Sequence, residues 1–340
     1  MANSYEQPSG VAAALVTRLE DDVSAQFPHL LDTAEQAALA NTAVDGHLGS
    51  TVQSIDRTSA SLAAILTETA KVEAAMTGAN QTAQEIDVAI LALGELVTKY
   101  LGFASSATQP AKNIAHLAQQ AQKDIRAQTD TQDARTQNAA AQTAADTLAR
   151  GVQPVNTGIG LAFVGVEQIG CPNDPYVATA RGDLHNALDT SQAANDSAAE
   201  AALASDSCGT ELTALADVQD NFTSILATIA AAATRTHDLL VTAAATLRGG
   251  TQRHLERVAT SITTANASVT SAADFPSLPV AVRAASTMLD NISTCANFAL
   301  TENRTAGDQT AQTVSSLNST AANVASAKSA LEEFIANSRT

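Results

Sequence analysis

The feature that most constrains the fold is a stripe of small apolar residues that recurs at alternating steps of three and four. It is clearest in the following set: Val52, Ile55, Ser59, Leu62, Ile65, Thr69, Val72, Met76, Ala79, Ala83, Ile86, Ile90, Leu93, Val97 and Tyr100. Because an α-helix has about 3.6 residues per turn, this spacing keeps one helix face apolar. We therefore predict one long helix over about residues 47–101.

Similar stripes occupy most of the chain, with Gly- and Pro-containing segments between them. They predict an all-α fold, an elongated antiparallel bundle of seven to nine long, coiled-coil-like helices. We expect three parts. Residues 1–150 form N-terminal helices, residues 151–175 form a Gly/Pro-rich apolar loop near the middle, and residues 176–340 form C-terminal helices packed against the first half. Together they are predicted to make one elongated unit.

The composition limits the classes of function. The 340 residues are rich in alanine, only 16% are charged, and the formal net charge is −17. This charge repels nucleic-acid phosphates, and no basic run offsets it, so we expect no nucleic-acid binding. The sequence contains no recognisable catalytic motif, metal-ligand motif or phosphate-binding glycine loop. We therefore expect no enzymatic activity, no cofactor, no metal site and no small-molecule substrate.

The sequence also carries few signals of location or of covalent cross-linking. It has no basic leader segment and no apolar run long enough to span a membrane, which predicts a cytoplasmic protein or non-classical export. The 3 cysteines are too few for a disulfide framework. We expect Cys295 to be buried on a helix stripe, and Cys171 and Cys208 to be accessible in loops.

The segment 151–175 differs from the rest of the chain. It contains five glycines and three prolines, which argue against a regular long helix. Asp174 and Pro175 then have the pattern of an N-cap and a first helical residue. The apolar side chains of the segment predict a membrane- or partner-contact loop that is partly buried. Its candidate contact residues are Ile159, Leu161, Phe163, Val164 and Val166.

An apolar, Gly-rich segment between long amphipathic helices is similar in plan to helical pore-forming toxins of the cytolysin A and haemolysin BL kind. That resemblance implies a membrane-active protein that uses residues 157–170. The stripes also resemble those of signalling coiled coils and structural rods. Our main hypothesis is a non-enzymatic structural or protein-interaction bundle, whose partners are proteins or further copies of itself, bound through helix faces. Membrane contact is expected only under the alternative.

Overall fold

The computed structural model describes residues 6–88, 92–126, 129–250, 260–264, 266–267 and 274–338. These residues are almost entirely helical and contain no strand, so the prediction of an all-α bundle of long helices is confirmed. The long α-helices are α1 (Glu6–Arg18), α2 (Phe27–Val88), α3 (Leu93–Arg126), α4 (Thr129–Glu167), α5 (Pro175–Gly250) and α6 (Asp274–Ser338).

Between α1 and α2 the chain stays helical but changes its winding. Leu19–Val23 form a π-helical turn, and Ser24–Gln26 form a 3-10 turn. Pro28, in the first turn of α2, has no N–H to donate to the carbonyl four residues earlier, and the first turn of a helix is where that loss costs least. Leu19 and Val23 are both buried, so the irregular turn still contributes to the core.

The chain divides into two compact units, each of which combines segments that are far apart in the sequence. Unit 1 consists of Met1–Leu48, Gln132–Thr213 and Phe298–Thr340. Unit 2 consists of Gly49–Thr131 and Ala214–Asn297. The parts 1–150, 151–175 and 176–340, and the single elongated unit that we expected from them, stay predictions.

Unit 1 is an antiparallel bundle of four helical segments: residues 6–48 (the N-terminal segment), α4, the first half of α5 and the second half of α6. Two contacts in each neighbouring pair show that the segments run in opposite directions, because the later residue of one segment meets the earlier residue of the other. The contacts are Gly151–Leu30 and Gly165–Leu15 between α4 and the N-terminal segment, Asn138–Ser205 and Asn156–Gln192 between α4 and α5, Thr190–Thr320 and Asp183–Ser326 between α5 and α6, and Asn41–Asn303 and Glu20–Lys328 between the N-terminal segment and α6.

All four segments contribute to one hydrophobic core in unit 1. Most of its members are small, and alanine is the commonest of them. Each buried methyl group contributes little alone, so the stability of the unit depends on many close contacts along the helices. The largest fully buried side chains in this core are Leu19, Leu148, Ile159, Leu184 and Phe334.

In unit 2, α3 packs antiparallel to α2 and to the second half of α5. Lys99 donates a hydrogen bond to Glu85 (3.0 Å), and the ring of Phe103 lies against Gly78. The hydrogen bonds from Gln122 to the carbonyl of Thr223 (3.2 Å) and from Gln219 to Thr131 (3.3 Å) join α3 and the residues after it to α5. The largest buried side chains include Ile65, Ile86, Tyr100, Ile114 and Phe222.

The predicted single helix over residues 47–101 is wrong. Helix α2 begins earlier and ends at Val88, α3 begins at Leu93, and the chain reverses between them. Buried stripe residues occur on both sides of the reversal, at Ile86 and at Val97. The steps of three and four continue from α2 into α3, so periodicity alone could not reveal that these are two antiparallel helices. Residues 89–91, including Ile90 of the stripe, lie outside the described residues.

The predicted loop over residues 151–175 is also wrong for most of its length. Residues 151–167 are the last part of α4, with Pro154 inside the helix, and only residues 168–174 connect α4 to α5. Helical packing persists because the buried side chains keep their steps of four and three. They are Leu148, Val152, Val155, Ile159, Ala162 and Val166. Helices persist through glycine elsewhere as well, as in α5, which contains Gly182 and Gly209.

Three glycines of α4 explain why this segment is rich in glycine. Gly151, Gly158 and Gly165 are seven residues apart and so lie on one helix face. A Cβ atom at these positions would lie 2.5, 2.8 and 2.5 Å from side-chain carbons of Leu30, Val23 and Leu15, in that order. These distances are shorter than carbon atoms tolerate. The absence of a side chain therefore lets α4 approach the N-terminal segment closely, and we call this set the glycine stripe.

Replacement of Gly158 by alanine should destabilise unit 1. The new methyl group would meet Cγ2 of Val23 at 2.8 Å, and a β-branched side chain in a helix has little freedom to move away. We expect a loss of about 1–3 kcal/mol in the free energy of unfolding, measured by urea denaturation.

Gly160→Ala is the matched control for this substitution, since the nearest atom to its Cβ lies 4.0 Å away on Leu188. This variant should be neutral or more stable by up to about 1 kcal/mol, because alanine favours the helix over glycine. Equal effects of the two substitutions would contradict the close approach of α4 at the glycine stripe.

Candidate functional site

The connection between α4 and α5 orients the segment that the sequence singled out. Gly170 has a φ of +73°, a left-handed conformation that glycine adopts without strain. Asp174 then accepts hydrogen bonds from the backbone N–H groups of Tyr176 (2.9 Å) and Val177 (3.3 Å). The predicted N-cap of α5 at Asp174, followed by Pro175, is therefore confirmed.

The five candidate contact residues do not lie in a loop, and they do not share one environment. Ile159 and Val166 are fully buried in the core of unit 1. Phe163 is partly buried against that core, with its ring centroid 5.9 Å from that of His185 on α5. Leu161 and Val164 are 52% and 50% exposed. The helix thus divides the apolar set into an inner side that packs and an outer side that faces solvent.

Exposed residues on the last part of α4, with the first residue after it, form a second, outward stripe. Thr157, Leu161, Val164 and Gln168 are all exposed and follow one another at steps of four, three and four. We call them the α4 outer face. No residue between Gly151 and Val166 is charged, and the exposed charged residues Arg150 and Glu167 lie at the two ends of this stretch. Such a surface offers apolar and neutral polar contact, and it has no group suited to acid–base chemistry.

Charged and ionisable side chains lie beside the α4 outer face. On α5, His185 lies 3.9 Å from Asp189, and both side chains are largely exposed. Near the α4–α5 connection, a cavity of about 360 Å³ is lined in part by Glu167, Cys171 and Arg181. Cys171 is partly buried there. Sequence reasoning named neither His185 nor Arg181 as neighbours of the segment, because their proximity depends on the pairing of α4 with α5.

The three cysteine side chains differ in environment, and none of them forms a disulfide bond. The prediction that Cys208 is accessible in a loop is wrong, because it lies fully buried inside α5. Burial, followed by the negative charges of Glu302 and Glu211, raises the pKa of the Cys208 thiol to about 12. Cys295 is only partly buried, although we expected burial.

The raised pKa of Cys208 predicts a loss of stability at alkaline pH. In the unfolded chain the thiol ionises near pH 8.5, but in the folded protein it stays protonated up to about pH 12. Its contribution is fully present below about pH 8.5 and falls by about 1.4 kcal/mol per pH unit up to about pH 12. Urea unfolding at several pH values should show a shallower decline for Cys208→Ala. Parallel declines would contradict this prediction.

A charge should distinguish the two sides of α4. Ile159→Asp places a carboxylate in the core, and we expect it to destabilise the protein by more than about 4 kcal/mol. Leu161→Asp, two residues away on the outer side, should change the free energy of unfolding by no more than about 0.5 kcal/mol. Thermal and urea unfolding of both variants measure the difference. A severe loss in Leu161→Asp would show that the outer side is packed.

The described part of the chain contains neither a candidate metal site nor a candidate membrane span. There, no three His, Cys, Asp or Glu side chains are grouped where they could hold a metal ion. None of the described helices combines the length and the apolarity that a membrane span requires. Comparison of the chain with protein-family models, with curated proteins and with solved structures gives no match.

Proposed function

We propose that the protein is a non-enzymatic structural or protein-interaction bundle that associates with a second copy of itself through the α4 outer face. The observation that carries this proposal is the half exposure of Leu161 and Val164 on a helical surface without charge. Isolated exposed apolar residues are ordinary on protein surfaces. Here two of them lie one turn apart, beside the partly buried ring of Phe163, so they form a continuous apolar contact area.

The net charge of the chain favours this face over others for self-association. Two copies, each with a net charge of −17, repel one another wherever acidic surfaces meet. Contact through residues 151–166 brings no charged side chain of this segment against its counterpart. The absence of charge therefore lowers the repulsion between copies at the place where apolar side chains are exposed.

Small residues support the same face. Gly160 is only partly buried, precedes the exposed Leu161, and has no atom nearer than 4.0 Å to the position of its Cβ. A partner helix can approach a surface of glycine and small apolar residues closely, as α4 itself approaches the N-terminal segment at the glycine stripe. Antiparallel pairing of two copies of α4 across a two-fold axis would use the same surface on both copies.

Sedimentation velocity over a range of concentrations tests the proposal. We expect a reversible monomer–dimer equilibrium that strengthens with salt, from about 0.01 M to about 1 M ionic strength, as charge repulsion is screened. The double substitution Leu161→Asp and Val164→Asp should raise the dissociation constant at least tenfold, about 1.4 kcal/mol. Leu203→Asp is the matched control, because Leu203 is 69% exposed on α5, outside the α4 outer face.

Two outcomes would overturn the proposal. A wild-type protein that remains monomeric at every concentration and salt level would exclude self-association. Dimerisation that the α4 substitutions leave unchanged would assign it to another surface. Leakage of dye from lipid vesicles, abolished by Phe163→Asp in a folded variant, would instead favour the membrane-active alternative that uses residues 157–170.

A further inference from the structure

The interior of unit 1 contains a layer of polar side chains, with one member from each of the four helical segments. Its members are Asn41 on α2, Asn138 on α4, Cys208 on α5 and Asn303 on α6. Asn303 donates a hydrogen bond from Nδ2 to the backbone carbonyl of Asn41 (2.9 Å), which sets these two at one level. We call these four residues the asparagine layer.

Two further contacts place the remaining members at the same level. Asn138 donates a hydrogen bond from Nδ2 to the carbonyl of Ser205 (2.9 Å), and Cys208 follows Ser205 by about one helical turn. The negative charge of Glu302, the residue that precedes Asn303, contributes to the raised pKa of the Cys208 thiol, so Cys208 and Asn303 lie at a similar level. The four side chains therefore belong to one layer of the bundle, where buried groups face a shared interior.

The amide oxygens of this layer have no donor. Asn41, Asn138 and Asn303 are 5%, 2% and 2% exposed. In each of them Oδ1 is buried and accepts no hydrogen bond from the described residues. Native proteins leave few buried polar atoms unsatisfied, because such an atom loses its interaction with water without replacement. Three such oxygens in one layer point to a guest that they bind together.

The chemistry of the side chains in the layer limits which kinds of ligand it can bind. Amide oxygens are hard, neutral ligands, and rings of carbonyl oxygens are how proteins hold monovalent cations. The Cys208 side chain is a neutral thiol at neutral pH, so it supplies no thiolate for a soft metal ion. Glu302 and Glu211 add negative potential around the layer without being buried in it.

The number of oxygens exceeds what a single water molecule can satisfy. One water molecule has two hydrogen atoms, so it can donate to only two of the three Oδ1 atoms. A cation is attracted to all three at once and matches the negative potential of the nearby carboxylates. We propose that the asparagine layer binds a small monovalent cation, such as Na⁺, K⁺ or NH₄⁺, through the three amide oxygens.

Cation-dependent thermal unfolding tests the proposal. The wild-type protein is unfolded in chloride salts of Na⁺, K⁺, NH₄⁺ and tetramethylammonium at one ionic strength. Tetramethylammonium is too large for the layer and has no N–H group. We expect at least one small cation to raise Tm by about 2 °C or more, with a dependence on its concentration that saturates. Identical Tm values in all four salts would overturn the proposal.

Variants of the layer make the test specific. Asn303→Leu removes one oxygen and should abolish the dependence on the cation. Asn138→Asp keeps the size of the side chain and adds a charge, so it should increase that dependence even if the variant is less stable. Thr313→Val is the control, because Thr313 is equally buried on α6 and its hydroxyl already donates to the carbonyl of Gln309. It should retain the wild-type dependence.

A direct measurement does not require the variants to fold. Broadening of the ²³Na resonance by the wild-type protein, reversed by K⁺ or NH₄⁺ but not by tetramethylammonium, would support a discrete site. Broadening that tetramethylammonium reverses equally would indicate only diffuse attraction to an acidic protein. That result, or a cation dependence of Tm that is the same in Asn303→Leu and the wild type, would overturn the proposal.

Discussion

The close approach of α4 to the N-terminal segment is the contact on which the rest of unit 1 depends. Side chains of Leu15, Val23 and Leu30 occupy the space that a Cβ atom would take on the glycine stripe. Because these helices lie close together, small side chains are enough to fill the space between them. The core can therefore consist mainly of alanine, leucine and valine and still be well packed. The small core residues and the glycines of α4 thus depend on each other, because both are needed for the helices to pack this closely.

The two sides of α4 have different roles as a result. The inner side is fixed by packing, so its sequence is restricted to residues of suitable size. The outer side carries no such restriction, yet it retains Leu161 and Val164 and lacks charge. Packing within the chain does not explain that choice, whereas the proposed contact with a second copy would. Packing within the chain also does not explain the asparagine layer. Apolar side chains in these positions would need no hydrogen-bond partners, whereas three buried amides do.

The sequence predicted the helical class and the N-cap at Asp174 because both depend on local spacing and chemistry. The sequence-based predictions were wrong about where helices end and about the role of the glycines in α4. The reversal after Val88 preserves the stripe, so it leaves no mark in the periodicity. Gly158 suggested a break, but whether glycine ends a helix or admits a neighbour depends on Val23, which is distant in the sequence. For the asparagine layer a signal did exist, since Asn303 lies at a stripe position between Ala299 and Ala306.

The π-helical turn at Leu19–Val23 explains why the residues of the N-terminal segment that contact the glycine stripe are unevenly spaced. The glycines of α4 are evenly spaced by seven residues, but the side chains that meet them are spaced by seven from Leu30 to Val23 and by eight from Val23 to Leu15. A π turn contains about one residue more than an α turn, and so takes up the extra one. Without that extra residue, position 16 rather than Leu15 would face Gly165, so the π turn keeps the contacts on both sides of it in register with α4.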